Sequence, residues 1–187
     1  MKAINLRTEF LVNPIGIDIK NPLLSWNALG DKKQTAYRVV AYKDNELVYD
    51  SKKVNSSTMS VSFPEELHSG DHIIWKVTLW NENDIKGEES EKASFEMSLL
   101  NKDDFKAKWI RGNYFVNKNK RYPVDCFKKE ITVPKIKKAR LYATACGLYE
   151  VKINGKRVGS FVLAPGHTDY RKRIQLQTYD ISNYLKE

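Results

Sequence analysis

Cysteine is nearly absent from this chain of 187 residues, which has only Cys126 and Cys146. A chain of this length can bury a core without covalent staples, so a disulfide framework is neither needed nor suggested. A reducing cytoplasm is the expected compartment, with a trimmed export signal left open. Histidine is as scarce. His68, His72 and His167 lie far apart, and no HExxH, CxxC or calcium-loop spacing occurs, so no metal is expected. Long apolar runs are missing too. Nothing approaches the ~18 residues of a bilayer-spanning helix, and Lys2, Asn5, Arg7 and Glu9 interrupt the first ten residues, so neither a membrane segment nor a signal peptide is read. With 9 Gly and 6 Pro the chain is too poor in both for collagen-like or low-complexity architecture. No Gly-x-Ser-x-Gly elbow or phosphate-cradling glycine loop is present, and Gly112, Gly147, Gly155, Gly159 and Gly166 read as turn residues. No cofactor is expected.

What is present is the composition of a folded protein, 41% hydrophobic and 29% charged, with a net charge of +9 that is unevenly placed. Residues 1–104 carry 13 Lys and Arg against 17 Asp and Glu, a balance of −4, whereas residues 105–187 carry 19 against 6, a balance of +13. The length also suggests two small domains rather than one.

The first hundred residues alternate short β-branched and aromatic runs with polar turns, the pattern of an all-β sandwich. Strands are predicted at Leu23 to Trp26, Tyr37 to Tyr42, Leu47 to Asp50, Ser60 to Phe63, Ile73 to Trp80 and Ala93 to Met97. In the fifth, Ile73, Trp75, Val77 and Leu79 form one wholly apolar face, which predicts a central strand. Turns fall at Leu29-Gly30-Asp31, Lys43-Asp44-Asn45, His68 to Asp71 and Asn81 to Gly87. Six or seven strands in this span is an immunoglobulin-like or fibronectin-III-like number. Residues 98–105 read as a polar connector, which places a first domain at 1–100 and a second at 105–187.

The second body also reads as β. A strand is predicted at Cys126 to Val133, closed by Pro134, and another at Leu141 to Thr144. Asn154-Gly155, between runs that alternate Val151 and Ile153 with Glu150 and Lys152, predicts a hairpin with a type I′ turn. A further strand is expected at Arg173 to Tyr179, then a helical turn capped by Asp180 or Ser182. This body stops at Lys186-Glu187 with few strands and looks incomplete. Trp26, Trp75 and Trp109 are expected in cores, and Cys146, in a run of small residues, as a buried inert thiol.

Two sets of ordered motifs then invite a comparison. Asn5 to Ile17, Pro22-Leu23-Leu24-Ser25-Trp26 and Gln34 to Val39 resemble the opening of large bacterial α-L-rhamnosidases. Independently, Gly147 to Glu150, Ile153 to Gly159, Leu163-Ala164-Pro165-Gly166-His167-Thr168-Asp169-Tyr170 and Gln177 to Asp180 resemble the second amino-terminal domain of that family. The resemblance implies a fibronectin-III-like sandwich followed by a partial jelly roll, galactose-binding-like in type, and then a helical (α/α)6 barrel that lies beyond this chain. It also implies inverting hydrolysis of terminal α-L-rhamnosides by two carboxylic acids in that barrel. The chain by itself is therefore expected to be inactive, a scaffold for the missing catalytic barrel, and no catalytic residue is transferred to it. Glu65-Glu66, Glu88-Glu89 and Asp103-Asp104 read as solvated turn or linker acids. Two departures from the family stand out: Ile73 where a corner tyrosine is usual, and His167 where tryptophan is common.

The residues that could meet a sugar are His167, Asp169, Tyr170, Arg171 and Arg173, since sugar sites pair an aromatic face with charged or amide groups that bind hydroxyls. Two readings of this loop stay open. Either it faces an L-rhamnose-containing glycan or the active-site mouth, or Asp169 pins the turn while Tyr170 packs at a sheet edge. A rival from another class is a stand-alone protein that binds carbohydrate or single-stranded nucleic acid. Its basic stripe would be Lys135, Lys137, Lys138, Arg140, Lys156, Arg157, Arg171, Lys172 and Arg173, with Tyr142, Tyr149 and Tyr170 stacking on bases. The detailed family match argues against nucleic acid. An incomplete jelly roll would also expose a sheet edge, which favours pairing into a homo-oligomer.

Overall fold

The structure is a computed structural model that describes residues 1–30, 33–117, 119–134 and 136–185. Asp31 of the predicted turn and Lys135 of the basic stripe lie outside the described residues. The first half contains β1 (Lys2–Thr8), β2 (Ile15–Ile17), β3 (Leu23–Leu29), β4 (Gln34–Lys43), β5 (Glu46–Asp50), β6 (Ser60–Ser62), β7 (His72–Asn81), β8 (Lys86–Glu89) and β9 (Ala93–Met97). The second contains β10 (Arg140–Ala143), β11 (Lys152–Ile153), β12 (Lys156–Arg157) and β13 (Gln177–Asp180). Short 3-10 turns occupy Lys102–Asp104 and Ser182–Tyr184. The fold is all-β.

In one layer of the sandwich β3 runs antiparallel between β1 and β6. In the other, β4 pairs with β5 on one side and β7 on the other. The far edge of β7 is shared: His72 to Trp75 pair with β9, and Thr78 and Trp80 pair with β8. A single parallel pairing of Lys2 with Glu88 joins the layers, and β2 adds in parallel to β9. Ile73, Trp75, Val77 and Leu79 of β7 are all buried, so the strand is central, as its alternation predicts. Across the layers the Trp26 and Tyr37 rings lie 5.1 Å apart, and Phe63 meets Phe95 edge-on at 5.7 Å. Trp26 also donates its indole N–H to Gln34 Oε1 (3.1 Å), and the Gln34 amide donates in turn to the Thr58 carbonyl (2.9 Å). This buried polar chain lets Gln34 sit inside an apolar layer.

All six predicted strands of the sandwich are present. Three more, β1, β2 and β8, were not predicted. The expected turn from Asn81 to Gly87 is shorter: Asn81 Oδ1 accepts the N–H groups of Asn83 and Ile85 (3.0 and 2.9 Å), and the chain is back in a ladder at Lys86. Glu88 and Glu89 therefore belong to a strand, where Glu89 pairs with Lys76 at 2.5 Å. At the corner, Ile73 is buried and Asp71 does the tying. Its carboxylate accepts the His68 N–H (3.0 Å) and binds Lys43 (2.7 Å). The connector is likewise fastened. Leu100 N–H donates to Ser69 Oγ (2.7 Å), and the Ser69 hydroxyl donates to Asp104, so Asp104 is a structural acceptor and not a free linker acid.

In the second half Asn154 and Gly155 both take positive φ, 49° and 78°, and the predicted hairpin forms with Ile153 opposite Lys156. The strand predicted at Arg173 to Tyr179 starts later, at Gln177, and pairs with β10. The last turn begins at Ile181 rather than at Asp180 or Ser182, and the Asp180 carboxylate accepts the Ser182 N–H (2.9 Å) from just before it. The strand predicted at Cys126 to Val133 is absent, because a ladder needs a partner and none of the described residues supplies one. Trp109 is 62% exposed rather than in a core, and Phe115 is 97% exposed. Cys146 is exposed too, contrary to the buried thiol expected, and both cysteines are free.

Candidate functional site

The loop singled out from sequence leaves the buried Ala164 and Pro165 and closes on itself before β13. The Asp169 carbonyl accepts the N–H groups of Lys172 (2.8 Å) and Arg173 (2.9 Å). The Asp169 carboxylate grips Arg171 through its Nε (3.0 Å), its Nη2 (3.1 Å) and its backbone N–H (3.2 Å). Those hydrogen bonds, the side-chain ones first, hold the Asp169 carboxyl below its usual range. Tyr170 is half-buried against His167, with the rings edge-to-face at 5.7 Å and 86°. Asp169 thus holds the turn through Arg171, and the Tyr170 ring meets the imidazole. The loop brings together two partners at a time, His167 with Tyr170 and Asp169 with Arg171, and directs Arg173 elsewhere.

Arg173 lines a groove of about 290 Å³ where the two halves meet. Asp18 from the sandwich, Ser98 at the connector, Gln175 from the approach to β13 and Gln177 at its start complete its polar wall. Gln177 is already engaged, donating to the Pro165 carbonyl at 3.1 Å. Sequence reading missed Asp18, Ser98 and both glutamines, and no local motif marks them. They come from three separated segments: the pairing of β2 with β9 brings Asp18 beside Ser98, where the Ser98 N–H donates to the Ile17 carbonyl (2.7 Å), and the second half adds the glutamines.

Four of the eight described cations of the expected basic stripe are paired with carboxylates. Lys138 Nζ (2.7 Å) and Arg140 Nε (2.8 Å) bind Glu96, Arg157 Nε lies 3.5 Å from Glu150, and Arg171 is held by Asp169. A phosphate ligand would have to compete with these carboxylates. Among the described residues no group of three His, Cys, Asp or Glu is placed to hold a metal ion, and no helix is long and apolar enough to cross a membrane.

Comparison with known proteins adds to this geometry. Residues 3–101 match the family described as "Rha78A-like, N-terminal immunoglobulin domain", and residues 134–187 match "Alpha-L-rhamnosidase N-terminal domain". An α-L-rhamnosidase of Formosa agariphila is 33% identical over 96% of this chain, and the chain spans 21% of that protein. The solved α-L-rhamnosidase of Dictyoglumus thermophilum is 34% identical with a TM-score of 0.83 over 99% of this chain, which corresponds to 24% of its own. The α-L-rhamnosidase of Aspergillus terreus is 27% identical with a TM-score of 0.81 over 100% of this chain and 22% of its own.

Proposed function

The chain belongs to the amino-terminal region of the α-L-rhamnosidase family, and on that premise we propose that it is the non-catalytic part of an enzyme that hydrolyses terminal α-L-rhamnosides. In this reading it carries and orients a catalytic domain found elsewhere in the protein, and the loop from His167 to Arg173 faces the rhamnoside or the mouth of the active site. The observation that carries it is the match along 99% of the chain to a solved α-L-rhamnosidase, with a TM-score of 0.83.

Two features of the structure support the division of labour. Inverting hydrolysis needs two carboxyl groups roughly 6.5–9.5 Å apart across a sugar. The groove offers one, Asp18, and in the loop Asp169 is committed to Arg171. In addition, Trp109, Ile110, Phe115, Val124, Phe127 and Ile131 are exposed along one segment, apolar side chains of the kind that further polypeptide covers.

The test is to incubate the purified 187-residue chain with an aryl α-L-rhamnoside and to titrate it with L-rhamnose by NMR. No release of rhamnose is expected, with amide shifts confined to residues 166–173. Rhamnose released above the blank would overturn the non-catalytic assignment. A titration that leaves those amides unmoved would remove the sugar-facing role of the loop.

A further inference from the structure

Glu96 is a carboxylate of the sandwich that cations of the second half surround. It lies on β9 with a side chain only 1% exposed, at a position where the alternating strand turns away from the core that holds Phe95. Its cations come from across the connector. Arg140 donates through Nε (2.8 Å) and Nη2 (2.9 Å) in a two-point pair, and Lys138 Nζ sits 2.7 Å away. Arg140 is itself held from the other side, by Asp180 on β13 at 2.9 Å. One guanidinium therefore joins β9 of the sandwich to the β10–β13 pair. A buried carboxylate left without its cations would be strongly unfavourable, whereas a fully paired one of fixed fork geometry selects a single orientation. Independently, β2 and β13 approach so closely that a Cβ built on Gly16 would lie 2.7 Å from Thr178 Oγ1.

We propose that Glu96 is a positioning residue that locks the orientation of the second half on the sandwich through Arg140 and Lys138, so that the two halves move as one rigid body and the 166–173 loop leading into β13 is presented at a fixed angle. Domain pairs joined only by a short connector and a small interface move relative to one another by default. The Glu96 cluster is what removes that freedom here. The inference does not depend on the rhamnoside reading, since it needs no sugar.

The experiment uses the full 187-residue chain with Cys126→Ser, a spin label on the exposed Cys146 and a second on Asn83→Cys. Asn83 lies in the turn after β7, at the opposite end of that strand from His72 and therefore remote from the lock. Pulsed dipolar spectroscopy then reads the distance distribution between the halves. A narrow distribution is expected for the parent chain, with its width roughly doubling in Glu96→Gln and widening less in Lys138→Gln, which keeps the two-point pair. Trp fluorescence and far-UV dichroism should show the sandwich intact in both. Lys138→Gln changes a half-exposed side chain and keeps the test open if Glu96→Gln folds poorly. Distributions unchanged in width and mean in both variants, with the sandwich folded, would overturn the proposal, as would a parent chain already as broad as the variants.

Discussion

Gly16 and Thr178 touch across the two halves: a Cβ on Gly16 would fall 2.7 Å from the threonine Oγ1 and 2.8 Å from its Cβ. Gly16 also has φ +82°, where an L side chain is strained. Gly155, in the hairpin turn, has nearly the same φ, +78°, but open space around the missing Cβ. The two glycines separate backbone strain from collision. Gly155→Ala should cost about 1 kcal/mol in urea unfolding, the backbone contribution alone. Gly16→Ala should cost about 2–3 kcal/mol, because the Thr178 side chain and the strands behind it must also shift. Adding Thr178→Ala to Gly16→Ala should recover only the part due to the hydroxyl, because alanine keeps a Cβ 2.8 Å from the new one; Thr178→Gly should relieve the collision in full. Equal costs for the two glycine substitutions would mean that the halves are not in contact at Gly16.

Gln34 is a second point at which one side chain serves several others. It accepts the Trp26 indole N–H and donates to the Thr58 carbonyl in a buried setting. Gln34→Leu strands both groups and should destabilise the sandwich by about 2–4 kcal/mol, measured by urea titration. Trp26→Phe in the Gln34→Leu background removes the orphaned donor. The double variant should therefore lose less than the two single losses added together.

The sequence made legible whatever depends on local pattern. The apolar face of Ile73, Trp75, Val77 and Leu79 and the Asn154-Gly155 turn are encoded within a few residues, and both are where the pattern places them. What escaped depends on partners. In β1 the alternation is broken by Asn5 at φ 53° and a register shift between Ile4 and Arg7. The strand β8, Lys86-Gly87-Glu88-Glu89, has little β preference and exists because β7 and Lys76 recruit it. Conversely, Cys126 to Val133 has strand composition but no ladder among the described residues. The loop from His167 to Arg173 was legible because it is contiguous. The groove was not, since Asp18, Ser98 and Gln175 are far apart in the chain. Glu96 did leave a signal: a carboxylate inside Ala93-Ser94-Phe95-Glu96-Met97 has to be met by cations from somewhere else.

Phe63 is fully buried and carries ring contacts in two directions, to Tyr49 and to Phe95, each at 5.7 Å. Phe63→Ala should therefore leave a cavity between the layers and cost about 3–5 kcal/mol, whereas Phe63→Leu, which keeps most of the volume, should cost clearly less. Thermal unfolding followed by tryptophan fluorescence would compare them. Equal losses would point to the ring contacts rather than to the cavity as the main contribution.

Acid should weaken the lock between the halves in two stages. The groups in play are Glu96, its cations Lys138 and Arg140, Asp180 on the far side of Arg140, and His72, which is opposite Glu96 in the ladder. Burial pushes the Glu96 carboxyl up, but hydrogen bonds from Arg140 and Lys138 outweigh it, so the group ionises below the ordinary glutamate range. For His72, burial and then the charge of Lys138 push the imidazole below its usual value. Both groups therefore bind protons more readily unfolded than folded, and stability falls with falling pH for each. The His72 contribution is present above about pH 6.5, its unfolded value, and declines below it. The Glu96 contribution is present above about pH 4.3 and is lost as the pH drops through its depressed folded value. Urea midpoints measured from pH 8 to pH 3 should show a shallow decline and then a steep one. Glu96→Gln should make the steep part shallower and, because the Glu96 charge holds the His72 imidazole up, deepen the shallow one, whereas His72→Gln should remove the shallow one. A profile that keeps its steep limb in Glu96→Gln would assign acid sensitivity to other carboxylates, with Asp50, which Arg38 and Lys52 likewise hold far below its usual range, the first to substitute next.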